Sequence, residues 1–226
     1  MWAVLPAKDM ADAKQRLADA LSAPERRLLF RTMYEDVLTA MAGVTALDGL
    51  AVVTRDPEAA AVAEAHGARV IPEAENEGQT AAVEKGAKVL AAEGVQGILT
   101  VPGDAPLITV DEIEAVLSAH QGSPAMTIVP AHDRRGSNCI ALSPPDLMPF
   151  SFGNDSFRPH LAAARAAGVE PLIVELPGIG LDIDTPDDLR QLLDRPGDSR
   201  THRYLDSSGI ADRLRPISPQ QAGCAG

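Results

Sequence analysis

Three groups of charged side chains in this 226-residue chain stand where apolar runs stop. Asp104 lies between Pro102 and Pro106, directly after the run Gly97-Ile98-Leu99-Thr100-Val101. β-branched Ile98, Thr100 and Val101 favour a buried strand. The prolines stop that strand and stiffen its exit, so the carboxylate is presented at the carboxyl edge of a sheet, where open α/β sheets bind ligands. Thr109 and Asp111 stand closer to the next helix start and serve better as its caps, which leaves Asp104 for function. In Asp182-Ile183-Asp184, strand alternation would put both carboxylates on one face with Ile183 anchoring the other. Such paired acids repel one another unless a cation sits between them, which points to a divalent metal.

Cations form the third group. Lys8, Lys14 and Arg16 crowd the end of the first apolar run. In an acidic chain they suit an anion site, Lys as a point charge and Arg as a fork for phosphate oxygens; a solvated, salt-bridged helix face accounts for the segment equally well. The loop Ser151-Phe152-Gly153-Asn154-Asp155-Ser156-Phe157 offers backbone N–H groups at Gly153 and the Ser156 hydroxyl just before a helix. It reads as a phosphate cradle or as an ordinary capped helix start, with equal weight. Neither common type of glycine-rich phosphate loop occurs.

The elements that must position these groups follow from periodicity. Strands are predicted over 2–5, 50–54, 69–71 and 97–101, alternating with helices over 24–41, 56–66 and 81–90. A polar loop over 73–80 precedes the third of these helices. That alternation is the pattern of a parallel sheet covered on both faces. Further on, a helix over 111–120 leads to strands at 125–129 and 139–142 joined by the charged turn His132 to Asn138, a hairpin that makes the sheet mixed in its second half. A helix over 160–167, a strand over 172–176 and a helix beginning at Pro186, capped by Thr185, complete the series. The fold class expected is α/β, a Rossmann-like, mostly parallel mixed sheet flanked by helices on both faces. Residues 1–194 make one domain, and 195–226, rich in Arg, Pro, Gly, Ser and Gln, a tail with at most one short helix near Tyr204 to Leu214.

Bulk properties narrow the function classes. A formal net charge of -12 argues against nucleic acid or an anionic membrane as partner. Two cysteines, Cys139 and Cys224, give neither a disulfide framework nor metal-ligand spacing. The opening apolar run is too short for a signal core and no run reaches membrane-spanning length, so a cytoplasmic location is expected.

Taken together, Pro6-Ala7-Lys8 with Ala13-Lys14-Gln15-Arg16-Leu17, Pro102-Gly103-Asp104-Ala105-Pro106, Gly136-Ser137-Asn138, Phe152-Gly153-Asn154-Asp155-Ser156-Phe157 with His160, and Asp182-Ile183-Asp184-Thr185-Pro186-Asp187-Asp188-Leu189 carry a resemblance. Over about residues 2–193 the chain resembles the 2-phospho-L-lactate or phosphoenolpyruvate guanylyltransferases of deazaflavin coenzyme F420 biosynthesis, a branch of the nucleotidyltransferase superfamily. The resemblance implies GMP transfer from GTP onto the phosphate of a small phosphorylated carboxylic acid (2-phospho-L-lactate, phosphoenolpyruvate or 3-phosphoglycerate) with release of pyrophosphate. It implies Mg²⁺ as cofactor on Asp104, Asp182 and Asp184. Lys8, Lys14 and Arg16 would meet the triphosphate and the leaving pyrophosphate. Pro6, Lys8, Gly78, Gln79, Thr80, Pro102 and Asp104 would lie on the nucleotide side, and Ser137, Asn138, Gly153 and Ser156 on the acceptor side. Where the family has Leu-Asn this chain has Gln79-Thr80, and Ser137 replaces a common Thr.

Two other readings compete. One is a nucleotidyltransferase of molybdenum-cofactor or sugar-nucleotide type, against which the missing glycine-rich opening loop counts. The other is a nucleotide-binding module without catalysis, against which the three candidate metal acids count. A homodimer is left open. Replacing one clustered acid by its amide is expected to raise metal-free stability slightly, by relieving repulsion.

Overall fold

The computed structural model describes residues 1–75 and 77–214; Cys224 and the end of the expected tail lie outside them. Seven strands form one sheet in the order β3-β2-β1-β4-β6-β5-β7. They are β1 (Trp2–Pro6), β2 (Gly49–Thr54), β3 (Arg69–Pro72), β4 (Ile98–Thr100), β5 (Ala125–Pro130), β6 (Ser137–Ser143) and β7 (Leu172–Ile173). Pairs β1–β2, β1–β4, β2–β3 and β5–β7 are parallel, and β6 runs antiparallel to both β4 and β5. The expected α/β, mostly parallel mixed sheet is therefore the fold, with β6 as its reversed strand.

Among the described residues eight α-helices accompany the sheet: α1 (Ala23–Ala42), α2 (Pro57–Ala65), α3 (Gln79–Ala92), α4 (Val110–Ala119), α5 (Phe157–Ala166), α6 (Pro186–Leu193), α7 (Arg200–Ser207) and α8 (Ile210–Leu214). Strand alternation sorts them into two layers. Ala3, Leu5 and Val52 point to the face covered by Leu29, Met33, Tyr34 and Val37 of α1 and by Ile113 and Val116 of α4. Val4, Ala51 and Val53 point to the face covered by Val83, Ala87 and Leu90 of α3 and by Phe157 and Ala164 of α5. Each fully buried Val or Leu contributes roughly 1.5–3 kcal/mol, so the two apolar faces hold the sheet in place. Gly86 of α3 belongs to this packing, since a Cβ there would come within 2.6 Å of Val4 Cγ1.

Local signals explain the helix starts. The Ser22 N–H donates to the Glu25 carboxylate at 2.8 Å ahead of α1. Asp56 accepts from the N–H groups of Glu58 and Ala59 at α2, and Thr109 accepts from Glu112 N at α4. Thr185 and Asp188 form a capping box at α6, as Thr185 leads one to expect.

Four local expectations change. Gln79 and Thr80 are not loop residues but the first turn of α3. Only Leu172 and Ile173 of the 172–176 run join the ladder, at an exposed edge where both side chains meet solvent. The 181–184 stretch is extended without a strand partner, yet it keeps the alternation expected of it: Leu181 and Ile183 are fully buried while Asp182 and Asp184 emerge. Where the sequence suggests a tail with one short helix, residues 200–214 form two, α7 and α8. Their Leu205, Ile210 and Ala211 join the core beside α1, and Asp36 of α1 accepts hydrogen bonds from Arg200 N, Thr201 N and the Thr201 hydroxyl. Among the described residues no helix is long and apolar enough to cross a membrane.

Candidate active site

Topology brings the charged groups to one edge. The parallel strands β1 and β4, with Val4 opposite Thr100, run toward the same edge and feed the segments bearing Lys8 and Asp104. Because β6 is antiparallel to β4, with Ile140 opposite Thr100, its first residues, Ser137 and Asn138, start at that same edge. A strap over 177–184 closes the site from the side. The Glu112 carboxylate accepts from Gly178 N at 2.7 Å and Ile179 N at 2.8 Å, and Ile183 N donates to the Asp104 carbonyl at 3.0 Å. Glycine is required at 178, where a Cβ would approach Leu107 O to 2.3 Å.

At the centre stands Lys14. Its ammonium, only 5% exposed, pairs with Asp104 and, at 2.9 Å, with Asp184. Burial alone would push its pKa down, but the charges of Asp104 and Asp184 outweigh burial and hold it above the usual lysine value. Lys14 also has φ 58°, a left-handed conformation that costs a non-glycine residue on the order of 1 kcal/mol. The turn that carries it is tied to α1 by Arg26, whose guanidinium donates to Gln15 Oε1 at 3.5 Å and to Leu21 O at 2.8 Å. Arg16 reaches Asp184 at 3.3 Å and Asn154 at 3.2 Å, joining the acid group to the 151–156 loop.

The acids converge, Asp104 from the segment after β4 and Asp182 and Asp184 from the strap, which belongs to no strand. Burial first, then the Asp104 charge, raises Asp182 to about 6; burial pushes Asp184 up as well, but Lys14 reverses this and holds it low. Among the described residues, however, no group of three His, Cys, Asp or Glu is arranged as a metal cage. The cation lying between Asp104 and Asp184 is the Lys14 ammonium. The donor set nevertheless fits a hard divalent ion. Asp104 Oδ1 is buried without a hydrogen-bond partner, and Asp182, raised first by burial and then by the Asp104 charge, stands beside it as a second oxygen ligand.

A cleft of about 610 Å³ opens above these groups, lined among others by Lys8, Arg16, Gln79, Pro102, Ser137, Gly153 and Ser156. A neighbouring cavity of about 340 Å³ is bounded by Pro6, Lys8, Gln15, Phe30 and Gly103 and shares Gln79, Pro102, Asp104 and Asp184 with the cleft. Gly78 and Thr80 line neither; the Thr80 hydroxyl instead accepts from Phe152 N at 3.0 Å and ties α3 to the 151–156 loop. The amide of Asn138 donates to Ile179 O and to Asp182 Oδ1, both at 3.0 Å, so Asn138 orients Asp182 as well as lining the cleft. His132 and Arg135 also line the cleft and were not singled out from sequence; the charged turn between β5 and β6 was the available signal.

Ser137 and Ser156 are joined to each other. Ser137 N donates to Ser156 Oγ at 2.9 Å, and Ser137 Oγ lies 2.9 Å from His160 Nδ1. His160 is fully buried, and burial, partly opposed by the Ser156 carbonyl, lowers its pKa to about 4. Above pH 6.5 the imidazole is neutral in the folded and the unfolded chain alike. As pH falls from 6.5 toward 4 only the unfolded chain takes up the proton, which drains roughly 1.4 kcal/mol of stability per pH unit. The wild-type melting temperature is therefore expected to fall more steeply between pH 6.5 and 4.5 than that of His160→Gln. Parallel melting curves would show that the imidazole is not held neutral.

The profile of the family described as "Guanylyl transferase CofC like" matches residues 1–220. A phosphoenolpyruvate guanylyltransferase of Conexibacter woesei is 38% identical over 220 residues, covering 97% of this chain and 98% of the relative. A 3-phospho-D-glycerate guanylyltransferase of Colwellia psychrerythraea is 32% identical, covering 84% and 89%. Among solved structures, a protein from Desulfovibrio desulfuricans G20 described as a nucleotide-diphospho-sugar transferase superposes with a TM-score of 0.76 at 18% identity, covering 94% of this chain and 97% of its own.

Proposed function

Because the chain belongs to the CofC-like guanylyl transferase family, we propose that it transfers GMP from GTP to the phosphate of a small phosphorylated carboxylic acid and releases pyrophosphate, a step of coenzyme F420 assembly. The observation that carries this reading is the meeting of Asp104 and Asp184 on the Lys14 ammonium, with Asp182 beside Asp104, at the floor of a polar cleft whose wall bears Ser137 and Ser156.

The chemistry asks little of acids and bases. An oxygen of the acceptor phosphate bonds to the α-phosphorus of GTP while the bond from that phosphorus to the β-phosphate oxygen breaks, and its electron pair leaves with pyrophosphate. The nucleophile is already an anion, so no side chain has to take a proton. What the reaction demands is charge neutralisation and alignment. Lys8 and Arg16, lining both cavities, supply positive charge to the triphosphate and the leaving group. Asp104, Asp182 and Asp184 would hold Mg²⁺, which when bound offsets charge between the two reacting phosphates. Gln79, common to both cavities, is the nucleotide-side residue of its turn, while Gly78 and Thr80 line neither.

Relatives that carry phosphoenolpyruvate and 3-phospho-D-glycerate in their names support an acceptor of that size and charge. The test is a panel of GTP, ATP and CTP against phosphoenolpyruvate, 2-phospho-L-lactate and 3-phosphoglycerate, with and without Mg²⁺, read by pyrophosphate release. Metal-dependent release with GTP and one acceptor is expected. Release without any acceptor, or none with any pairing, would overturn the reading.

A further inference from the structure

We propose that His160 is a positioning residue that turns Ser137, together with Ser156, into a pair of hydroxyl donors for the anionic acceptor; the inference rests on the guanylyltransferase reading for the identity of that anion. His160 lies beneath the cleft on α5, and its two ring nitrogens have different partners. Ser151 N is a backbone donor 2.9 Å from Nε2, so Nε2 must accept and carries no proton. A neutral ring then holds its proton on Nδ1, the nitrogen 2.9 Å from Ser137 Oγ. Ser137 Oγ is thus an acceptor toward the protein, and its own proton is left to be donated elsewhere. Burial in an apolar setting beside Phe150 and Phe152, whose rings meet the imidazole edge-on at 6.2 and 4.9 Å, keeps the ring neutral and fixed.

The second hydroxyl is set by the same logic. Ser156 Oγ receives the Ser137 N–H at 2.9 Å, so its proton too faces away from its protein partner. Both serines are over nine-tenths buried, both line the cleft, and neither hydroxyl proton has an acceptor among the described residues. Two buried donors with no protein acceptor, side by side on one wall, match an anionic oxygen pair and would reject a cation. The chain Ser151 N–H to His160 to Ser137 to ligand fixes polarity that a serine alone, free to rotate, does not have.

Two substitutions separate this role from packing. In His160→Gln the amide oxygen reaches the Nε2 position and can keep Ser151 N, but nothing donates to Ser137. In His160→Asn the amide nitrogen takes the Nδ1 position and keeps that donation. The expected result is an acceptor KM raised by about tenfold in His160→Gln and recovered to within about twofold of wild type in His160→Asn, with the KM for GTP unchanged in both. Equal effects of the two variants, or a shift in the GTP term alone, would overturn the inference. Independently of turnover, ¹⁵N spectra of the wild-type imidazole are expected to show the proton on Nδ1; a proton on Nε2 overturns the inference whatever the reaction proves to be. Calorimetry with phosphoenolpyruvate in the absence of nucleotide completes the set. Weaker binding by His160→Gln without any wild-type turnover would uphold the donor pair while removing the guanylyltransferase reading.

Discussion

Asp104→Asn is expected to lower GTP-dependent pyrophosphate release by roughly 10²–10³-fold, the loss that follows when one preorganised electrostatic group is removed from a site that works by charge placement. Asp104 does two things at once. One carboxylate oxygen pairs with Lys14, and the other, Oδ1, is buried with no partner. An amide keeps the shape and can still accept one hydrogen bond, but it offers neither the charge nor a strong hard-cation ligand. The fold should survive, because Lys14 retains Asp184 at 2.9 Å. Sequence reasoning expects a slight gain in metal-free stability from relieved repulsion; the structure reverses that sign. Asp104 is the partner of a nearly buried ammonium, so its neutralisation removes more attraction than repulsion. The melting temperature of the metal-free protein should fall, by less than the ~3–5 kcal/mol equivalent of breaking a buried pair outright. Turnover close to wild type, or a melting temperature that rises, would remove Asp104 from the role assigned here.

That reversal marks where the sequence stops being informative. A strand ending in Pro-Gly-Asp-Ala-Pro and an Asp-Ile-Asp triplet are local signals, so the place of Asp104 at a sheet edge and the alternation of Asp182 and Asp184 about Ile183 were legible; that the triplet arrives on a strap rather than at the end of a parallel strand was not. Nor was the counter-ion. Whether Lys14 meets a triphosphate or a carboxylate pair depends on a left-handed backbone turn at φ 58° and on a strap arriving from 170 positions downstream, and no window of sequence carries either. Asn138 and Thr80 illustrate the same limit. Each was assigned to a ligand from its place in a motif, yet each makes a hydrogen bond across the fold, to Asp182 and to Phe152 N, that only the tertiary register creates. The hairpin of β5 and β6 could be read from its turn, whereas the insertion of β6 between β4 and β5 could not, because strand order is set by long-range pairing. Likewise the 200–214 segment looked polar, but its few apolar residues sit at a spacing that docks on α1.

Replacing that counter-ion gives the largest expected effect on the fold. Lys14→Met keeps the side-chain length and the same left-handed backbone cost, so the ammonium charge is what changes. Without it Asp104, Asp182 and Asp184 face one another with no buried cation. Breaking a buried pair costs about 3–5 kcal/mol, here toward the lower end because Asp184 is 43% exposed and retains Arg16 at 3.3 Å. In a chain of this size that is a fall of roughly 6–15 °C in melting temperature, measured in chelator. The pH dependence has a definite sign. Lys14 holds Asp184 below its ordinary value in the wild type, so that contribution is present above the carboxylate range and fades as pH drops. In the variant the carboxylates titrate upward, protonation relieves their repulsion, and the deficit relative to wild type narrows from pH 7 toward pH 5. A divalent cation should do the same work at pH 7. Mg²⁺ is expected to raise the melting temperature of Lys14→Met by more than it raises that of the wild type, because only in the variant does it enter a site with no ammonium to compete. If chelator leaves Lys14→Met as stable as wild type, the acids are not held together by Lys14. If Mg²⁺ stabilises both proteins equally, the ammonium and the metal do not share one place; if it stabilises neither, the three carboxylates do not form the cation site that the proposed transfer requires.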